Sequence, residues 1–356
     1  MRLAISCGYA GMGLGNDTLE LVQEAERLGY TQAWVAEAYG SDAPTVLAWL
    51  AAQTSTIGLG AGIMQIPART PAMTAMTAAT LDTLSGGRFL LGLGVSGPQV
   101  SEGWHGVRFA APLTRTREYV EVVRMALRRE QVRYDGTHFT LPLPDGPGKA
   151  LRLTIRPPRA DLPVYLAAVG PRNLHLAGEV ADGWLGIFLS PEHCADQMGA
   201  VRAGRTAAGT GADGDPMAGF DVVASVPVCV TDDLEVARAA LADYTALYIG
   251  GMGSREQNFY NALARRMGFE EAADTIQDLY LDGRPRDAAD AVPLELVDAT
   301  ALIGPPARIA ERIGRYADAG VTTLSVAPIA RSAAEGTAVL RVVAQALEAS
   351  GTHQRS

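Results

Sequence analysis

Carboxylates, one hydroxyl and clustered glycines are the residues of this chain best suited to chemistry, and they recur at comparable places. Glu37 and Asp42 lie in "AEAYGSD", Ser96 and Gly97 close the run "FLLGLGVSGP", and Glu102 precedes Trp104 and His105 in "SEGWHG". Glu102 can donate a proton or orient charge with Trp104 as a wall, although a rim salt bridge and a core aromatic explain the same residues. Glu37 and Asp42 can accept hydrogen bonds from a bound molecule, and Asp42 equally suits the cap of the helix it precedes. In "VGPRNL", Gly170 and the amides of Arg172 and Asn173 sit at a helix start that Pro171 favours, where exposed N–H groups and the dipole attract an anion such as phosphate. Ser-Gly-Pro at 96 to 98 can hold a ligand's hydroxyls or serve only as a turn.

Glycines at 58, 60, 62, 92 and 94 interrupt two β-like runs, Ile57 to Met64 and Phe89 to Ser96. Glycine weakens a strand, so this density calls for a bulge or a close backbone approach. Arg69 suits an anion or plain surface, His105 and His175 have no partner at ligand spacing, and Trp184 is expected to pack under a strand with Asp182 pinning a turn. No GxSxG, CxxC or HExxH motif is present, so nothing points to an amino-acid nucleophile or a metal.

These residues need a frame, and the hydrophobic pattern supplies one. Apolar runs near residues 3, 33, 58, 90, 165, 185, 222 and 324 read as strands, and amphipathic segments between them read as helices, the first capped by Asp17. Eight such units predict a single (β/α)8 TIM barrel over residues 1–350, with excursions near 131–160 and 251–300 and a short tail at 351–356. Asp135-Gly136 marks a hairpin within the first excursion. An open doubly wound sheet is disfavoured, because "GYAGMGLGND" after the first strand lacks the GxGxxG fingerprint. In a barrel, the loops at the C-terminal strand ends carry the chemistry, and the residues above fall in those loops.

Composition excludes several classes. A formal net charge of −9 argues against a nucleic-acid footprint. Three scattered cysteines, Cys7, Cys194 and Cys229, fit a reducing compartment without a disulfide framework. The N-terminal apolar run is too short for a signal peptide, and no run is long enough to cross a membrane, so a cytoplasmic location is expected.

The stretch from Gly58 to Gly106, "GLGAGIMQIPARTPAMTAMTAATLDTLSGGRFLLGLGVSGPQVSEGWHG", together with "YLAAVGPRNLHLAGEVADGWLGIFLSPE", resembles the bacterial-luciferase-like superfamily. It is most similar to the branch of coenzyme F420-dependent oxidoreductases that includes methylenetetrahydromethanopterin reductase. The resemblance implies a bulge with a non-prolyl cis peptide at Gly62-Ile63, its backbone against the deazaflavin ring. It further implies cofactor contacts at Asp42, Gly62, Ile63, Gln65, Ser96 and Gly97, and at Ala168, Val169, Gly170, Pro171, Arg172 and Asn173. Glu102 and Glu37 are the expected catalytic carboxylates. The Asp-His pair and following Trp of the branch's dehydrogenases are replaced by Glu37-Ala38 and no Trp, which weighs against alcohol oxidation.

The function so implied is hydride transfer between C5 of coenzyme F420 and a small-molecule substrate. An FMN-dependent monooxygenase is the alternative, and a non-catalytic flavin-binding barrel is the second. A homodimer or higher homo-oligomer is expected from family habit and from the apolar helices around residues 70 to 84 and 114 to 127.

Overall fold

The computed structural model describes residues 1–8 and 16–352. Most of the glycine-rich loop expected after the first strand therefore lies outside the described residues. Eight strands form at the eight apolar runs: β1 Arg2–Ser6, β2 Gln32–Val35, β3 Gly58–Ala61, β4 Phe89–Gly94, β5 Val164–Ala167, β6 Gly183–Ile187, β7 Asp221–Val230 and β8 Thr323–Pro328. Each pairs in parallel with its successor, and β8 pairs back onto β1. The sheet is a closed eight-stranded parallel barrel, the (β/α)8 fold that the alternation predicts.

Helices wrap it in chain order: α1 Asn16–Arg27, α2 Ala43–Ala51, α3 Pro71–Leu84, α4 Pro98–Gly103, α5 Pro112–Leu127, α6 Pro171–Val180 and α7 Ala195–Ala207. After β7 come α8 Leu234–Ala246, α9 Phe259–Arg266, α10 Glu270–Leu281, α11 Pro285–Asp290, α12 Leu294–Thr300, α13 Pro306–Asp318 and, after β8, α14 Ala333–Ala349. The Asp135-Gly136 turn joins Tyr134–Asp135 to Thr140–Leu141 in an antiparallel hairpin. Among the described residues no helix is long and apolar enough to cross a membrane.

Three local expectations are corrected. Asp17 lies in the first turn of α1 instead of capping it, where its charge still meets the positive helix end. The run Ile57 to Met64 is not one strand: β3 stops at Ala61, the Gly62-Ile63 peptide is cis, and Met64–Gln65 resumes the pairing against Leu93 and Gly94. A short strand, Leu302–Gly304, escapes the sequence reading because three apolar residues carry no period. It adds to Val228–Val230, the end of the ten-residue β7.

The glycine question has a structural answer inside the barrel. A Cβ on Gly60 would lie 2.3 Å from the Trp34 ring, and one on Gly92 would lie 1.8 Å from the Ala61 carbonyl oxygen. A Cβ on Gly94 would meet the Ile63 side chain at 2.8 Å. The close approach at these three positions is made by the protein itself: the Trp34 indole fills the interior, edge-on to Tyr165 at 5.0 Å.

Below Trp34 a buried polar cluster closes the N-terminal end. Asp221 accepts hydrogen bonds from Gln32 (3.1 Å), Tyr165 (3.0 Å), Thr322 (2.6 Å) and Thr323 (2.8 Å), and Arg2 pairs with it at 2.7 Å. A buried carboxylate is tolerated only with such saturation. One end of the barrel is therefore plugged, leaving the C-terminal end for ligands.

Gly92→Ala is expected to destabilise the fold by at least about 2–3 kcal/mol, since a backbone carbonyl cannot give way as a flexible side chain can. Gly103→Ala, whose Cβ meets nothing within 4 Å, should stay within about 0.5 kcal/mol. Urea unfolding of both variants checks this, and equal midpoints would contradict the packing account.

Candidate functional site

Toward the C-terminal end the inner faces of the strands open. Ser6, Ala167, Leu185, Ile187, Ser225, Pro227 and Ala327 are half-buried, whereas their outward-facing strand neighbours, such as Ala224, Val226 and Leu166, are buried. This period-two accessibility describes a mouth lined by uncharged side chains, small on most strands and larger at Leu185 and Ile187. Gly62 and Ile63 are half-buried as well, so the turn after β3 stands on that surface.

Behind the turn lies a buried ion pair. Arg69 donates from Nη1 to Glu37 Oε1 (2.6 Å) and from Nη2 to Glu37 Oε2 (2.9 Å), a two-pronged contact. The same carboxylate accepts from the amides of Gln65 (3.2 Å) and Ala43 (3.1 Å). Glu37, expected as a catalytic carboxylate, thus accepts from four donors, which makes it a support of the turn. Arg69, expected at an anion or on plain surface, is instead consumed by Glu37 and Asp42.

Asp42 caps α2, accepting from the Thr45 amide (2.9 Å) and hydroxyl (2.6 Å). Burial opposes its charge, but the Thr45 hydroxyl and amide and the Arg69 guanidinium outweigh that and hold its carboxyl below the usual range. Because the folded value is depressed, its stabilising contribution is present above about pH 4 and fades as pH falls. Tyr119 completes the support by donating to the Arg69 carbonyl at 3.1 Å, its own hydroxyl pushed up to about 12 by burial.

Gln65 extends this network to the next loop. Its amide nitrogen donates to the Ala38 carbonyl (2.7 Å), and its oxygen accepts from Ser96 Oγ (2.7 Å). At 2% exposure Gln65, an expected cofactor contact, braces the two loops. Ser96 itself adopts φ +62, and with half-buried Gly97 it remains at the rim.

Gly170 caps α6 without any side-chain hydrogen bond, and Pro171 occupies its first turn. First-turn amides of a helix have no partner within it, so those of Arg172 and Asn173 are available for an anion. Val169 and Gly170 are half-buried, while Arg172 is exposed. Ala168 does not belong to this surface: it is buried, and its carbonyl accepts from the Trp184 indole at 2.9 Å. Asn173 reaches back toward the Ala167 carbonyl at 3.4 Å, and Asp182 pins the start of β5 through the Val164 amide at 2.8 Å.

Glu102, on α4, accepts from the Phe109 amide (3.0 Å) and faces exposed Arg108 at 3.5 Å. These contacts clasp the loop that carries this expected proton donor. Trp104 is 67% exposed and so is not a core aromatic. His105 is half-buried, and His175 faces Glu179 at 3.9 Å.

Sequence reasoning missed four aromatic residues beside the mouth. Phe188, immediately after β6, stacks on Tyr244 at 5.4 Å and 18°, and Tyr248 and Tyr260 lie 5.4 and 6.0 Å from it. The four-residue spacing of Tyr244 and Tyr248, which aligns them on one helix face, was the available signal.

Residues 6–323 match the profile of the family described as luciferase-like monooxygenase. The chain is 43% identical over 331 residues to a provisionally named coenzyme F420-dependent oxidoreductase of Mycobacterium tuberculosis, covering 92% of this chain and 94% of that one. It is 30% identical to the 5,10-methylenetetrahydromethanopterin reductase of Archaeoglobus fulgidus, over 85% of this chain and 86% of that one. The solved coenzyme F420-dependent tetrahydromethanopterin reductase of Methanopyrus kandleri superposes with a TM-score of 0.80 at 26% identity, over 97% of both chains.

Arg69→Met is expected to cost roughly 3–5 kcal/mol by leaving Glu37 buried and unpaired. Adding Glu37→Gln in the same chain should recover part of the loss. Urea unfolding of the three proteins tests this; a single variant as stable as wild type would show that the pair supports nothing.

Proposed function

The chain belongs to the luciferase-like monooxygenase family, and from that premise we propose that it is a coenzyme F420-dependent oxidoreductase that exchanges a hydride with a small organic substrate. The observation that carries this reading is the Gly62-Ile63 turn, half-buried at the mouth and fixed from behind by Gln65, Glu37 and Arg69. A flat backbone surface with such support suits one face of a ring system. The high identity to a relative named for coenzyme F420 favours the deazaflavin over FMN.

The residues fit the cofactor at both of its ends. Gly62 and Ile63 would back the ring, Ser96 and Gly97 would meet the polar chain, and the uncapped start of α6 at Gly170 would hold the phosphate through the amides of Arg172 and Asn173. When bound, coenzyme F420 supplies hydride donation or acceptance at C5, and the protein supplies orientation and exclusion. Glu37 orients the turn, Asp42 and Arg69 lock its loop, and the neutral inner face keeps competing nucleophiles away from the reacting centre.

An anaerobic fluorescence titration with oxidised coenzyme F420 and, separately, FMN tests the proposal. The deazaflavin should bind at least about 30-fold more tightly, equivalent to ~2 kcal/mol. The reverse ranking would make the chain a flavin monooxygenase, and binding of neither would overturn the reading.

The assembly we propose is a homodimer formed through α2 and α3, where Trp49, Met73 and Met76 are exposed apolar side chains. Sedimentation at micromolar concentration should show a species of about 75 kDa, twice the 37.4 kDa chain. A Met73→Glu/Met76→Glu variant should sediment as the single chain. A wild-type protein that does so already would refute the dimer.

A further inference from the structure

Three neighbouring strands carry a serine at the first inward position above the plugged end. On β7, Val223 packs in the Trp34 layer and Ser225 is the next inward residue; on β1, Ser6 follows Ala4 of the same layer. On β8, Ser325 follows Thr323, which is bound to Asp221 at 2.8 Å. Ser325 alternates with Leu324 and Val326, which share the outer core with Leu340 and Val343 of α14, so it faces inward. Ser225 is its partner in register on β7, and Ala4 is its partner on β1. The three side chains form one hydroxyl ledge across β7, β8 and β1 at the floor of the mouth.

The ledge differs from the plug in the use of its polar groups. Gln32, Tyr165, Thr322 and Thr323 are all spent on Asp221. The hydroxyls of Ser6, Ser225 and Ser325, by contrast, make no hydrogen bond to any described residue. Ser6 and Ser225 are half-buried, and Ser325 is only 2% exposed. A hydroxyl buried in that state has left water without gaining a partner, a loss that folded proteins rarely leave uncompensated. Space for a partner lies alongside, because a small cavity bounded by Phe188, Ser225, Pro227 and Thr300 adjoins the ledge at Ser225.

We infer that Ser225, Ser325 and Ser6 bind a carbonyl oxygen of the substrate, such as a ketone, an enone or a lactam presents. This rests on the proposed cofactor reading, which places coenzyme F420 at the ends of β3, β4 and β5 and leaves the arc of β7, β8 and β1 to the substrate. Adjacent strands lie about 4.8 Å apart and a hydroxyl donates over roughly 2.7–2.8 Å, so one oxygen atom fits within reach of Ser225 and Ser325 together. A carbonyl oxygen has two lone pairs and accepts from both donors. Ser6, on the third strand, borders the same oxygen from the β1 side.

The test is calorimetric titration with cyclohex-2-enone, with and without oxidised coenzyme F420, of wild type, Ser225→Ala and Ser325→Ala. Each variant should bind the enone about tenfold more weakly while its Kd for coenzyme F420 stays within about twofold. The urea midpoint of each unliganded variant should equal or exceed that of wild type, because alanine removes a hydroxyl that has no partner in the protein. A hydroxyl with a structural role would lower it. Infrared spectra of the bound enone should show its carbonyl band at lower frequency in wild type than in either variant, the signature of donors at that oxygen. No saturable binding of the enone to wild type, variants that bind it as wild type does, or a lowered urea midpoint would overturn the ledge. A variant that loses coenzyme F420 and keeps the enone would give these hydroxyls to the cofactor and overturn their assignment to the substrate. Serine-dependent binding of the enone by a protein with no affinity for coenzyme F420 would overturn the cofactor reading and leave the ledge standing.

Discussion

Glu37 is a carboxylate taken out of water in the middle of three loops, and the shape of the mouth follows from how its charge is satisfied. Arg69 approaches from the segment before α3, Gln65 from the turn after β3, and Ala43 from the start of α2. None of these donors can leave without stranding a buried charge, so the segments are held in one arrangement. Through Gln65 the constraint passes to Ala38 and Ser96, which brings the loop after β4 into the same network. The half-buried surface of Gly62 and Ile63 is thus supported from behind by polar contacts within the protein.

The barrel makes this arrangement possible by being asymmetric along its axis. Trp34, Tyr165 and the saturated Asp221 cluster fill and close one end, and the glycines of β3 and β4 are the space that the large indole and neighbouring backbone require. A barrel interior is a packed core whose room is limited, so volume spent on Trp34 must be recovered from facing positions. Above that layer the inner residues are serine, alanine and glycine on most strands, with Leu185, Ile187 and Pro227 on the β6–β7 side, and the interior becomes a recess. Small neutral side chains at the mouth suit a cofactor that brings its own chemistry. They would serve poorly for a mechanism that needs charged side chains of the protein at the reacting atoms.

Opposite the supported turn, the aromatic cluster is built from parts that are far apart in the chain: the residue after β6, the end of α8 with its π-turn, and α9.

Much of the frame was legible in the residue pattern. Eight apolar runs alternating with amphipathic segments define the strands and helices, the cap that Asp42 forms is one of the two roles its sequence position offered, and the Asp-Gly pair reads as a hairpin. These are local properties, set by side-chain period and by turn chemistry over a few residues. The fates of individual side chains were not legible in the same way. That Glu37 pairs with Arg69 and Gln65 with Ser96, each about 30 residues away, is set by tertiary contact. Ala168 sits in the right loop but faces Trp184, because one residue of shift along a strand exchanges the two faces. The glycines announced a close approach, but only the closed barrel showed that the protein's own atoms make it. Sequence by itself determined which elements form and at which end of them chemistry belongs; tertiary structure decided which polar groups remain to do it, because hydrogen-bond partners and facing surfaces are set by contacts that local pattern does not encode.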